Sequence, residues 1–393
     1  MSTLLDLTPH DPLIARDGRP FGAGQGNRMR GLPWPLPSVV AGSFRTALVK
    51  ATGGDFSGDV PQRLMAEVAV AGVLPAHNGG LYLPAPLDGA WHKETKTLFR
   101  AAPQTIDEGC GTDLPDGLRP VMLSPEQAAD DFKAETPPAW WPLAKSVEWL
   151  TGSADRYEPG WITNDFLLAP RPAMRDHVAL DADRGAAAEG QIFATANLHV
   201  THLPRYRAQH DDTKAKFSDR YAEVTLSARV SIQHGSPLAL PSPFATWHPL
   251  GGERRLVHWQ QCQQSVTGWD CPDEIRVALA NTECVRLILA TPAIFRQGWQ
   301  PNLVNGPLKD IGLTLVAACI GRWKAVSGWA LAATKDQPRG PKPIRRMVPA
   351  GSVYFFTCEK KAAAQLPDHW LKPVSDTVQD QRDGFGLALW GTW

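Results

Sequence analysis

Glycine (34) and proline (35) together make up 69 of the 393 residues, and they are dispersed along the whole chain rather than gathered in one tract. The usual share is roughly 12%. Proline cannot occupy a helix interior or a central ladder position, and glycine weakens both helix and strand. The chain is therefore restricted to short elements joined by many turns and long ordered loops. With 43% hydrophobic residues, it still has ample material for buried cores, most naturally in two domains of ordinary size.

Strand-like stretches, several alternating apolar and polar positions, fall at residues 4–7, 177–180, 191–200, 222–232, 256–261, 284–290 and 352–358. Helix-like stretches fall at 38–50, 61–71, 141–150 and 313–320. No glycine-rich phosphate loop of the nucleotidase type and no dinucleotide fingerprint accompanies them. The mixture fits an α+β chain of ferredoxin-like units better than a nucleotide-binding α/β domain. Apolar periodicity is interrupted at 181–190 and at 208–219, either of which serves as a linker. The expected division is 1–205 and 206–393, with an insertion at about 97–163.

Forty basic residues balance forty acidic ones, which argues against a protein that coats nucleic acid indiscriminately and confines any RNA site to local patches. Two segments break the balance. Residues 16–45 hold Arg16, Arg19, Arg28, Arg30 and Arg45 against Asp17, and residues 335–346 hold Lys335, Arg339, Lys342, Arg345 and Arg346 against Asp336. Both are rich in glycine and proline, so they read either as solvated loops or as cradles of backbone amides for phosphates. The six cysteines form no CxxC pair and no short Cys/His spacing, so no metal site is expected and buried free thiols are. No stretch approaches the roughly 18 apolar residues of a membrane span, and the start, MSTLLDLTPHDPL, has no signal-peptide pattern. A cytoplasmic location without membrane contact is expected.

The segment from Asp11 to Phe21 (DPLIARDGRPF) leads through a glycine-rich turn to Leu36-Pro37-Ser38-Val39-Val40-Ala41-Gly42-Ser43-Phe44-Arg45-Thr46-Ala47-Leu48. Ser38 reads as the N-cap of a helix whose apolar positions share one side, with Arg45 directed away from the core. A strand, an arginine-bearing loop and a helix N-terminus in succession can hold phosphates, or can be an inert crossover. An RDGRPF element followed by a PSxxAGxxRTAL helix resembles the start of the Cmr-type (type III-B) CRISPR-associated subunits of the RAMP superfamily that cap the 5′ handle of the guide RNA. Later segments extend the likeness. They include Leu81 to Asp88, Leu250 to Arg255, Ala290 to Pro301, Val326 to Trp329, Pro341 to Arg346, Val348 to Phe356, and Gly384-Phe385-Gly386-Leu387-Ala388-Leu389-Trp390-Gly391.

The resemblance implies two packed ferredoxin-like (RRM-like) domains, no cofactor and no catalytic residue. Its implied partners are the repeat-derived 5′ handle of crRNA, the large polymerase-like signalling subunit, and the first backbone RAMP subunit. The implied role is antiviral defence within a ribonucleoprotein complex. RNA held by shape needs arginine forks, backbone amides and aromatic faces. The RNA-binding candidates are thus Arg28, Arg30, Arg45, Lys342, Arg345 and Arg346. Gly384 and Gly386 join them as a close-approach turn, or form only a β-turn. Arg16 is expected to pair with Asp17 or another carboxylate. Of the 15 tryptophans, most are assigned to packing and Trp140 to an interface. Relatives in the superfamily include RNA endonucleases that use histidine, which singles out His177, with Tyr157 and Lys145 as possible partners. A structural histidine at a strand start is the competing reading, and no GxSxG elbow indicates a hydrolase. A protein scaffold without RNA contact is the third class.

Overall fold

The computed structural model describes residues 2–19, 28–106, 109–124, 127, 132–152, 154–207, 216–330, 332–333 and 338–393. Its first strand, β1 (Ser2–Pro9), is followed by α1 (Pro37–Ala51), α2 (Val60–Glu67), β2 (Val68–His77), β3 (Gly80–Pro84) and β4 (Trp140–Pro142). The hairpin strands β5 (Pro172–Asp181) and β6 (Ala186–Leu198) come next, then β7 (Thr225–Ile232), β8 (Ala245–Pro249) and β9 (Leu256–Gln261). Apart from the β5–β6 hairpin, these strands form one seven-stranded sheet in the order β8-β9-β1-β7-β2-β3-β4. β1 is central, paired antiparallel to both β7 and β9, and β2 lies outside β7.

Strand alternation buries Leu5 and Leu7 on the face that α1 covers, where Val40, Ala41, Phe44, Ala47 and Leu48 join them with Val230 and Trp259 in one core. Helix α1 opens with Pro37 at its first turn and Leu36 at the N-cap, with no side-chain cap bond. The expected Ser38 cap is thus displaced by proline's fixed φ, which suits the first helical position.

The second sheet contains β10 (Cys284–Leu289), β11 (Thr314–Cys319), β14 (Val353–Thr357) and β15 (Ala388–Thr392), in the antiparallel order β11-β14-β10-β15. With β3, β4 and β8 set aside, the first sheet has the same four-strand pattern, β2-β7-β1-β9. The earliest strand is central between the third and fourth, and the second sits outside the third. Between β11 and β14 runs a separate hairpin, β12 (Lys324–Ala330) and β13 (Gly340–Met347). Helices α3 (Leu143–Thr151) and α4 (Asp273–Leu279) pack near β15, and a short α5 (Val378–Arg382) precedes it.

Several expectations are corrected. Residues 313–320 form strand β11 where a helix was expected. A short apolar run carries no period that separates the two, and pairing with β14 decides the matter. The helix expected over 61–71 ends at Glu67, where β2 begins and pairs with β7. The division at 205/206 does not follow the sheets, because β7 and β9 pair with β1. Nor is the 97–163 segment a free insertion. Its strand β4 closes the first sheet, while Trp141 and Trp149 are fully buried in a core that also holds Val285, Leu287 and Trp390. Trp140 is buried against Trp34, with ring centroids 4.6 Å apart, rather than offered as an interface. Only Cys271 is buried, and Cys110 is exposed.

A charged knot ties this segment to the second sheet. Arg286 on β10 donates to Asp88 at 2.6 Å and to the Trp149 carbonyl, all fully buried. Arg100 donates to the Trp149 carbonyl and the Tyr157 hydroxyl, its guanidinium lying over the Trp149 ring. Burial, and then the neighbouring Arg286, pull the Arg100 pKa down to about 10. Among the described residues no helix is long and apolar enough to cross a membrane.

Candidate nucleic-acid interface

Five of the eight candidate residues converge on the α5–β15 turn, where they serve the protein itself. Arg45 is buried rather than directed outward, because its guanidinium reaches between the start of β2 and the segment that follows α5. Its guanidinium donates to Asp383 at 2.6 Å, to the Val68 carbonyl at 2.8 and 3.2 Å, and to the Arg382 carbonyl at 3.3 Å. Asp383 also accepts from Gln379 at 2.9 Å and lies 3.7 Å from the Lys342 ammonium. One residue group on, Arg345 grips Asp380 with two bonds of 2.7 and 2.8 Å. Asp380 is further fixed by the Thr377 hydroxyl at 2.6 Å, and Thr377 in turn caps α5.

Gly384 and Gly386 have φ of 87° and 79°. A Cβ on Gly384 would run into the Val70 carbonyl, and one on Gly386 would meet the Ser375 hydroxyl at 2.9 Å. Both glycines are buried. Their close approach is to the chain's own backbone, which corrects the expectation of an RNA-facing turn.

Three candidates remain open to solvent. Arg28 and Arg30 are exposed, and no described carboxylate pairs with either. Their loop is held on one side by the Met29 amide donating to Ala194 of β6, and on the other by the Asp17 amide donating to the Arg30 carbonyl. Gly18 brings the same loop against β12, its amide donating to Ala325 at 3.0 Å. A Cβ there would touch Ser327. Asp17 is taken by Arg19, not by Arg16. Arg346 is exposed on β13, with its guanidinium 5.2 Å from the Trp323 ring. Lys335 lies outside the described residues.

Arg346 and Arg345 line an open cavity of about 560 Å³ with Ile294, Phe295, Gly298, Asp376, Thr377 and a further cation, Arg296. Arg296 is exposed and has no described carboxylate partner. Its backbone amide donates to Asp376 at 2.7 Å, which pins the turn that presents it. Sequence reasoning missed Arg296 because it is a lone charge in an apolar turn, and clustering was the signal in use. The Phe-Arg-Gln-Gly spacing, a tight turn displaying one arginine, was the available clue.

His177 donates to or accepts from the Thr195 hydroxyl at 2.9 Å and stacks on Phe193 at 4.9 Å. Tyr157 belongs to the Arg100 knot, and Lys145 pairs with Glu148. The expected trio is therefore dispersed over three elements.

The fold is a mixed α/β one of several sheets, and exposed arginines stand on its loops and on β13. The family model for CRISPR-associated protein (Cas_Cmr3) matches residues 5–393, and the chain belongs to that family of Cmr-type CRISPR-associated proteins. No curated protein matches the sequence. Among solved structures, the chain is similar to one in the type III-B Cmr-beta complex bound to cognate target RNA and AMPPnP. Identity there is 12%, covering 90% of this chain and 86% of that one, with a TM-score of 0.45. A chain of the Csm3–Csm4 subcomplex of the type III-A interference complex is similar at 8% identity, covering 91% and 93%, with a TM-score of 0.30.

Proposed function

We propose that this protein is a non-catalytic, cytoplasmic subunit of a type III-B RNA-guided effector complex. In this reading it holds the 5′ repeat-derived handle of crRNA and bridges the large signalling subunit to the backbone filament, in antiviral defence. Each sheet is read as the core of one ferredoxin-like unit, with the division after β9. Support comes from the repeated order of four strands, β2-β7-β1-β9 in the first sheet and β11-β14-β10-β15 in the second, each with its earliest strand between its last two.

The observation that carries the RNA reading is the sorting of the basic residues. Arg45, Lys342 and Arg345 are matched to Asp380 and Asp383, whereas Arg28, Arg30, Arg296 and Arg346 face solvent without a carboxylate partner among the described residues. Unpaired guanidinium groups on backbone-pinned loops suit phosphates, which they can grip through two donors. The Trp323 ring beside Arg346 adds a face for an unstacked base.

The test measures binding of the full chain to guide RNA carrying the native or a scrambled handle, over a salt series. Native RNA is expected to bind more tightly. Charge reversal of Arg28 and Arg30 together, or of Arg296 and Arg346 together, should weaken it at least about tenfold, and each lost phosphate contact should reduce the salt slope by about 0.7. Equal binding of both RNAs by all variants would favour the scaffold reading. Cleavage of repeat RNA that disappears in His177→Ala would favour an endonuclease.

A further inference from the structure

A second cavity, of about 320 Å³, lies where the connecting loops of the two sheets meet. Its walls come from the approach to α1 (Leu32 to Pro37), the chain after β3 (Pro84 to Leu87), the start of β4, the turn after β10 (Ala290 to Pro292) and the turn after β13 (Met347 to Ala350). Nine of its lining residues are proline, and proline has no N–H to offer. Several other donors at the wall are already engaged. The Trp34 indole donates to the Val73 carbonyl, the Ala85 amide to Ala139, the Leu87 amide to Gly351, and Thr291 bonds both Gly384 and Leu387.

A nucleobase placed here would leave most of its ring nitrogens and carbonyls without partners, which opposes binding. A hydrocarbon side chain would lose nothing. Rings and prolines also make the walls stiff, so the space exists before anything enters it. The single ionisable residue in the lining is Lys324, exposed and without a described carboxylate. Arg322, two positions earlier, is likewise exposed and unpaired, and Leu87 at the lining is 45% exposed. An apolar cleft bordered by unpaired positive charge calls for an apolar group flanked by acids.

We propose that this cavity receives one large apolar side chain projecting from an acidic segment of a partner protein. The cleft borders Trp323 and Arg346 along the β12–β13 hairpin, but its apolar occupant does not depend on the RNA reading. Filling an apolar cleft with a Phe- or Leu-sized group strengthens binding by roughly tenfold or more over alanine, and the basic border adds a preference by charge.

Ligand-detected NMR on the full chain, up to millimolar peptide, tests this with three pentapeptides. The first has phenylalanine between paired glutamates, the second replaces phenylalanine with alanine, and the third replaces the glutamates with lysines. The first is expected to bind at least about tenfold more tightly than the other two. Lys324→Glu should abolish the preference for acid. Ala169→Trp, at an exposed lining position, should remove binding with handle-RNA affinity unchanged, and the unfolding midpoint should be unchanged in both variants. Equal binding of the three peptides, or binding that survives Ala169→Trp, overturns the proposal. So does displacement of the peptide by AMP, which would mark a nucleotide site. Self-association that Ala169→Trp abolishes, in the absence of peptide binding, would assign the cleft to a second copy and overturn it as well.

Discussion

Replacing Arg45 separates a structural arginine from an RNA-binding one. Its guanidinium spans two parts of the chain, reaching Val68 at the start of β2 and Asp383 beyond α5, with both side chains of the ion pair about 3% exposed. Arg45→Met strands a buried carboxylate, an event that typically costs about 3–5 kcal/mol. Asp383 would retain the Gln379 amide and the nearby Lys342 ammonium, so the lower end, about 3 kcal/mol, is expected. Arg45→Lys preserves the charge but cannot fork between a carboxylate and a carbonyl, and should lose about 2 kcal/mol. Urea unfolding of the full chain reads both values. In the same variants, under conditions where they remain folded, handle-RNA affinity and its salt slope should match wild type. An unmoved unfolding midpoint in Arg45→Met, together with a salt slope reduced by about 0.7, would refute the assignment of Arg45 to the scaffold.

Two further tests address the backbone and the pH response. Gly384→Ala forces a side chain into left-handed backbone against the Val70 carbonyl and should lose at least about 1–3 kcal/mol, whereas Gly42→Ala, on an open position of α1, should gain about 0.5–1 kcal/mol; the reverse order in thermal unfolding would discredit the close approach. His248 is buried on β8, and burial, then Lys50, depress its pKa to about 4. The unfolded chain therefore takes up a proton below about pH 6.5 that the folded chain refuses, so this contribution is intact above that pH and is lost as pH falls toward 4. A loss of at most about 2 kcal/mol is expected between about pH 7.5 and about pH 5, and His248→Gln should flatten that slope in denaturation curves.

What the sequence disclosed depended on whether the deciding partner was local. Strand 256–261 was legible to the residue, since its alternation is an internal property. The identity of 313–320 was not, because β14, some forty residues on, determined it. Arg45 looked outward on a helical wheel, yet its carboxylate partner lies 338 residues away. The basic clusters contained both the open and the matched arginines, and only the positions of Asp380 and Asp383 sort them. The glycines at 384 and 386 were expected to face RNA or to form only a β-turn, and the sequence does not state that what approaches them is the chain's own Val70 and Ser375.

The position of Phe385 has a consequence for how the chain is made. This ring, 1% exposed, belongs to the core that α1 and β1 build, as do Ile294, Val326 and Met347 from beyond the first sheet. The first sheet itself is incomplete until β9 has been synthesised, and its core remains unsealed until Phe385 has left the ribosome. Contacts of such long sequence separation favour slow folding. The nascent chain thus carries an unfinished apolar surface from the synthesis of α1 until residue 385 has emerged, and for that period its protection must come from outside the molecule.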